Sequence, residues 1–162
     1  MTEILDKTEQ EYSNGHDRPL RSYTGILSAY GGTVAVATAA AVLAGRRAPD
    51  HVGLMDLLLM AACTHKVSRR MAKDPVTSPL RAPFTRYEGQ GGPSEVQEEP
   101  RGALGELLAC PFCLAQWVAT GYAAGLVLAP RVTRLVGATM TAVAISDWLQ
   151  LAYAKMMKSA ES

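Results

Sequence analysis

The stretch Ser22 to Ala44 runs for 23 residues without a charged side chain. As an α-helix it would extend about 34 Å at roughly 1.5 Å per residue, enough to cross a hydrocarbon core of roughly 30 Å. A secretory signal would need a positive leader and a shorter apolar core. The leader here sets Lys7, Arg18 and Arg21 against Glu3, Asp6, Glu9, Glu11 and Asp17, so the stretch reads as a retained membrane helix. A mean hydropathy of +0.04 conceals this partition, because Gly89 to Gly102 is almost entirely polar.

Around this first span the chain divides by composition. Residues 1–21 form a polar, acidic tail with a turn at Asn14-Gly15, and its first half is expected to lack fixed structure. Gly45 to Asp50 reads as a tight polar turn. A second apolar segment from about 52 to 66 is interrupted by Asp56 and ended by His65, Lys66, Arg69 and Arg70. The segment 67–103 holds Pro75, Pro79, Pro83, Pro93 and Pro100, which rule out a regular helix. Its last part, Gly89 to Gly102, reads as a solvated arm. Two further apolar segments follow, about 104–129 and 132–154, before a short tail at 155–162. The expected fold is therefore all-α: four transmembrane helices arranged as two hairpins around a Pro/Gly-rich central loop.

Counting Lys and Arg orients this arrangement. Four spans with the N-terminus inside place twelve of the sixteen on the cytoplasmic side; three spans, with the second segment on the surface, place eleven there. Both put the central loop and the Cys110-Pro111-Phe112-Cys113 turn in the cytoplasm. The run Leu57 to Ala62 is too apolar to leave in water, which favours four spans. A net charge of +1 gives no electrostatic case for nucleic acid.

Several residues carry candidate chemistry. Gly121 with Gly125, and Ser28 with Gly32, follow the small-xxx-small spacing that lets helices approach closely. Packing within the bundle is the plainer reading and a homo-oligomer seam the alternative. Asp56 and Asp147 are costly in hydrocarbon, and their different depths argue against a paired ion relay. Asp56 reads as an interfacial residue and Asp147 as an interhelical hydrogen-bonding one. Three cysteines suit a reducing compartment better than a disulfide framework. Cys110 and Cys113 lie three apart, on one face of a helix. A thioredoxin-like unit would need a strand before the first cysteine, and Leu104 to Leu108 has helical character. Together with Cys63 and His65 the pair could supply four ligands of zinc type; structural packing around Pro111 is the alternative, and no cofactor is required by it. Pro111 either starts a helix or kinks one.

In the central loop, Pro79 and Pro83 restrain the backbone. Arg81, Phe84, Arg86 and Tyr87 are placed to contact lipid headgroups or a protein partner. No phosphate-binding loop, dinucleotide fingerprint, zincin motif or nucleophile elbow is present.

Ser78-Pro-Leu-Arg-Ala-Pro-Phe-Thr85, followed by Gly105-Glu-Leu-Leu-Ala-Cys-Pro-Phe-Cys113 and Trp117, resembles the bacterial integral-membrane family called domain of unknown function 1360. The resemblance covers about residues 25–154. Ala115 stands where a glycine is common in that family. The resemblance implies a small multi-pass protein of the bacterial inner membrane, and the family includes a sporulation-associated member. It implies no biochemical activity. The expected role is a non-enzymatic scaffold or assembly factor, with a metal- or thiol-active protein as the alternative.

Overall fold

The computed structural model describes residues 2–14, 16 and 18–160, and the expected Asn14-Gly15 turn and the end of the C-terminal tail fall partly outside them. Two compact units emerge: Met1–Ala37 with Met71–Leu114, and Thr38–Arg70 with Ala115–Ser162.

Three helices are long and apolar enough to cross a membrane: α2 (Leu20–Leu43), α6 (Pro111–Leu128) and α7 (Pro130–Ala160). α2 has no buried residue; Leu27, Val36 and Val42 all stand exposed on it. A helix that is apolar over most of its surface and mostly uncovered by protein matches lipid rather than water as its solvent. α2 ends where Gly45 takes φ +63°. The amide of Gly45 bonds Val42 O and that of Arg46 bonds Ala41 O, a Schellman ending. The expected polar turn is there.

Four expectations need correction. The N-terminal tail is not without structure: Thr2–Ser13 forms α1, with Lys7 and Glu11 one turn apart at 3.9 Å. The second apolar segment does not stop at residue 66, because α3 runs from Leu54 to Lys73. The third splits in two, α5 (Gly102–Ala109) and α6, since Cys110 is extended and Pro111 starts the new helix. The fold is also not purely helical. The loop 67–103 contains a 3-10 turn (Pro75–Thr77), the one-turn helix α4 (Ser78–Arg81), and an antiparallel hairpin of β1 (Thr85–Gln90) and β2 (Val96–Pro100).

In the first unit these short elements make a headpiece. Asp74 caps the 3-10 turn by accepting the Val76 amide at 2.8 Å, with Pro75 at the first position. The hairpin carries a bulge between Tyr87 and Gly89, where Gly89 takes φ +151°. The Arg101 amide bonds Phe84 O at 2.8 Å and closes the hairpin base. α5 then packs on β2 and α4, so closely that a Cβ on Gly105 would run into the Phe84 carbonyl. Tyr23 on α2 donates to Glu106 on α5 at 2.7 Å.

In the second unit α6 and α7 form an antiparallel hairpin about Ala129. Tyr122 covers Gly137, and Thr133 sits against Gly125. α3 meets α7 through Asp56–Arg134, His65–Trp148 and Lys66–Asp147. The paired numbers rise together, so α3 and α7 run parallel.

Candidate functional site

The headpiece is organised by one buried side chain. Arg81 is 1% exposed, and its partner Glu98 5%. Nε and Nη2 donate to the two Glu98 carboxylate oxygens at 2.8 and 2.9 Å, the bidentate geometry that suits guanidinium. Nη1 donates to Met71 O at 2.5 Å and Thr77 Oγ1 at 2.6 Å, and Nη2 also to Asp74 O at 3.1 Å. All five N–H bonds are thereby used. Ser78 and Thr85 hydroxyls complete the carboxylate, each at 3.1 Å. Arg81 therefore caps the Met71 carbonyl in the last turn of α3 and the Asp74 carbonyl just beyond it, and ties this end of the helix to β2. The Arg81 guanidinium holds the Glu98 carboxyl below its ordinary pKa against the opposing effect of burial.

This changes the reading of the loop residues. Arg81 is not available as a lipid or partner contact; it is a positioning residue. Phe84 is half-buried and acts mainly through its backbone, which bonds Arg81 O and Arg101. Arg86 and Tyr87 remain exposed on β1, with Arg86 3.7 Å from Glu88. Glu98, assigned from sequence to a solvated arm, is the residue that sequence reasoning missed. Its signal was the isolated arginine between two prolines, which needs an acid if it is buried.

The cysteine turn lies at the end of the headpiece. Cys110 adopts φ −102° and ψ 109° as the residue that precedes α6, and its carbonyl accepts the first helical bond from Leu114. Its Sγ accepts the Cys113 amide at 3.3 Å, the bond of a helix N-cap. Burial alone would raise the Cys110 pKa. Hydrogen bonds from Cys113 and from the Phe112 backbone, with the Lys73 ammonium nearby, outweigh it and hold the thiol below its usual value. Cys113 is exposed, and the Phe112 ring between them is 88% exposed.

Cys63 and His65 belong to the second unit, where Cys63 is buried and His65 faces Trp148 at a centroid separation of 6.3 Å. Among the described residues, no group of three or more His, Cys, Asp or Glu side chains is placed to hold a metal ion.

Neither Asp56 nor Asp147 stands alone. Arg134 Nε and Nη2 each reach an Asp56 oxygen at 2.8 Å, while Lys66 pairs with Asp147. The small-residue positions divide as well. Gly125 is packed against Thr133, but a Cβ on Gly121 or Gly32 would meet no described atom within 4 Å, and Ser28 is exposed. The tightest interhelical glycine is Gly137, under the Tyr122 ring.

The model of the family described as protein of unknown function (DUF1360) matches residues 58–153, more than half of the chain. The chain belongs to this family. The matched region of the family includes most of α3, the whole headpiece, α6 and most of α7, and leaves out α2. No curated protein and no solved structure matches the chain.

Proposed function

We propose that this protein is a polytopic membrane scaffold in which α2, α3, α6 and α7 cross the bilayer and hold the headpiece at one face. The α3–α7 pairing supports the fourth span. α3 is 20 residues long, about 30 Å, and its charges at Asp56 and Lys66 are neutralised by charges on a helix that is itself of spanning length. A helix lying on the membrane surface would not meet α7 at two points about 15 Å apart along its own axis. The positive-inside tally supports a cytoplasmic headpiece, and the family resemblance favours a bacterial inner membrane as the setting, with envelope or sporulation assembly as the process served.

The observation that carries the scaffold reading is the Arg81–Glu98 clamp. It makes a rigid, preformed surface from a segment whose composition suits a mobile linker, and preorganisation lowers the cost of binding. Outside the clamp the hairpin sets Arg86 against Glu88, Glu95 and Glu99. An acidic hairpin is repelled by anionic headgroups, which favours a protein over a lipid surface. A two-stranded sheet also has no inner strand, so a third strand can be added at an edge. The partner is a basic, extended segment of another protein.

A photo-crosslinking amino acid at Tyr87, in intact cells, tests this. A discrete protein adduct that weakens on Glu88→Lys with Glu99→Lys is expected. Adducts to lipid alone, or a protein adduct indifferent to those charges, would overturn it.

A further inference from the structure

Cys110 and Cys113 have no part in the clamp or in the docking hairpin, yet their arrangement is specific. Three features coincide. The first thiol occupies the N-cap of α6, where the unsatisfied amides and the helix dipole favour a negative charge. The second reaches it from one turn on, along the same face. Pro111 occupies the first helical position, where its fixed φ and missing N–H hold this turn in place without loss of a hydrogen bond. The turn is accessible at Cys113 and Phe112. Cys63, buried in the other unit, supplies an internal control.

We propose that Cys110 and Cys113 form a dithiol–disulfide exchange site, with Cys110 as the attacking thiol and Cys113 as the resolving one. The substrate is a disulfide, from a protein or a small thiol. The Cys110 thiolate attacks one sulfur, the substrate S–S bond breaks, and one substrate sulfur leaves as a thiolate that takes up a proton. Cys113 then loses its proton and attacks Cys110 Sγ, releasing the second substrate thiolate and closing the intrachain disulfide. Two electrons pass from the dithiol to the substrate, and a second dithiol compound restores the pair. The absence of a preceding strand removes the thioredoxin fold but not the chemistry, which needs the helix N-terminus and the spacing. The lowered Cys110 pKa is consistent with the order of attack.

The test uses the full chain in detergent micelles, with oxidised glutathione as the probe. In the parent, two thiols should disappear together as a Cys110–Cys113 disulfide while Cys63 stays free. Cys113→Ser should accumulate a glutathione adduct on Cys110; Cys110→Ser, in which serine retains the N-cap, should form an adduct on Cys113 at least about tenfold more slowly. Equal adduct rates in the two variants, or independent loss of the thiols in the parent, would overturn the proposal. In cells, a discrete protein adduct on Cys113→Ser identifies a protein disulfide as the source, and a small-thiol adduct identifies the other.

Discussion

Replacing Arg81 by Met should unravel the headpiece and leave the helical hairpin of α6 and α7 intact. Removing the guanidinium strands the Glu98 carboxylate with two hydroxyl donors and takes one N–H donor from each of the Met71 and Asp74 carbonyls, of which Asp74 keeps the Thr77 amide. Breaking a buried ion pair from one side costs about 3–5 kcal/mol. At about 1.4 kcal/mol per tenfold change, amide exchange in Thr85–Pro100 should accelerate by about 10²-fold or more. Glu98→Gln should cost less, because Arg81 keeps its carbonyl and hydroxyl acceptors. The double change Arg81→Met with Glu98→Leu should recover part of the loss, since no charge is then left buried. Hydrogen exchange read by mass spectrometry, peptide by peptide in micelles, separates the headpiece from α6 and α7. Unchanged exchange across Thr85–Pro100 in Arg81→Met would refute the clamp.

The Glu98 pKa is depressed in the folded chain, so its contribution is complete above the unfolded value and is lost as pH falls through the folded one. Headpiece protection should therefore persist below the ordinary Glu range and then collapse, and Glu98→Gln should abolish that acid transition in the same exchange experiment. Gly137→Ala places a methyl inside the Tyr122 ring and should destabilise the α6–α7 pair by about 1–3 kcal/mol, while Gly121→Ala, which meets nothing, should leave it unchanged or firmer. Denaturation midpoints in mixed micelles check both. On the proposed four-span arrangement, Asp147→Asn takes the carboxylate partner from Lys66 at a cost of up to about 3 kcal/mol, and the exchange Lys66→Asp with Asp147→Lys should restore the midpoint.

What the sequence made legible followed from single-segment physics. The uncharged run of α2 announces a span by length alone, and Gly45 announces its end. Pro111 starts a helix because its missing N–H costs nothing there. The losses came from residues whose meaning depends on a distant partner. Lys66 reads as the end of a span and Arg134 carries no reading of its own, because Asp147 and Asp56 lie about 80 positions away and no local pattern pairs them. Five prolines correctly excluded a regular helix from the central loop, but they could not reveal a hairpin whose order comes from Arg81 reaching Glu98 across seventeen residues. Gly121 was singled out by its spacing and faces open space, whereas Gly137, with Thr133 and Thr141 four residues to either side, has an equivalent spacing and is the one that lies under a tyrosine. In the cysteine turn, the spacing was plain and the capping role was not, because α5 and α6 looked like one apolar run.

Whether α3 crosses beside α7 fixes the side on which the turn before it lies relative to the headpiece, and one labelling experiment reaches it directly. In a chain whose native cysteines are replaced by serine, a single cysteine is placed at His51, before α3, or at Gln90, in the headpiece. An impermeant maleimide is then applied to right-side-out and inverted membrane vesicles. If α3 spans, His51→Cys labels only in right-side-out vesicles and Gln90→Cys only in inverted ones. Labelling of both positions from the same face would show that α3 does not cross.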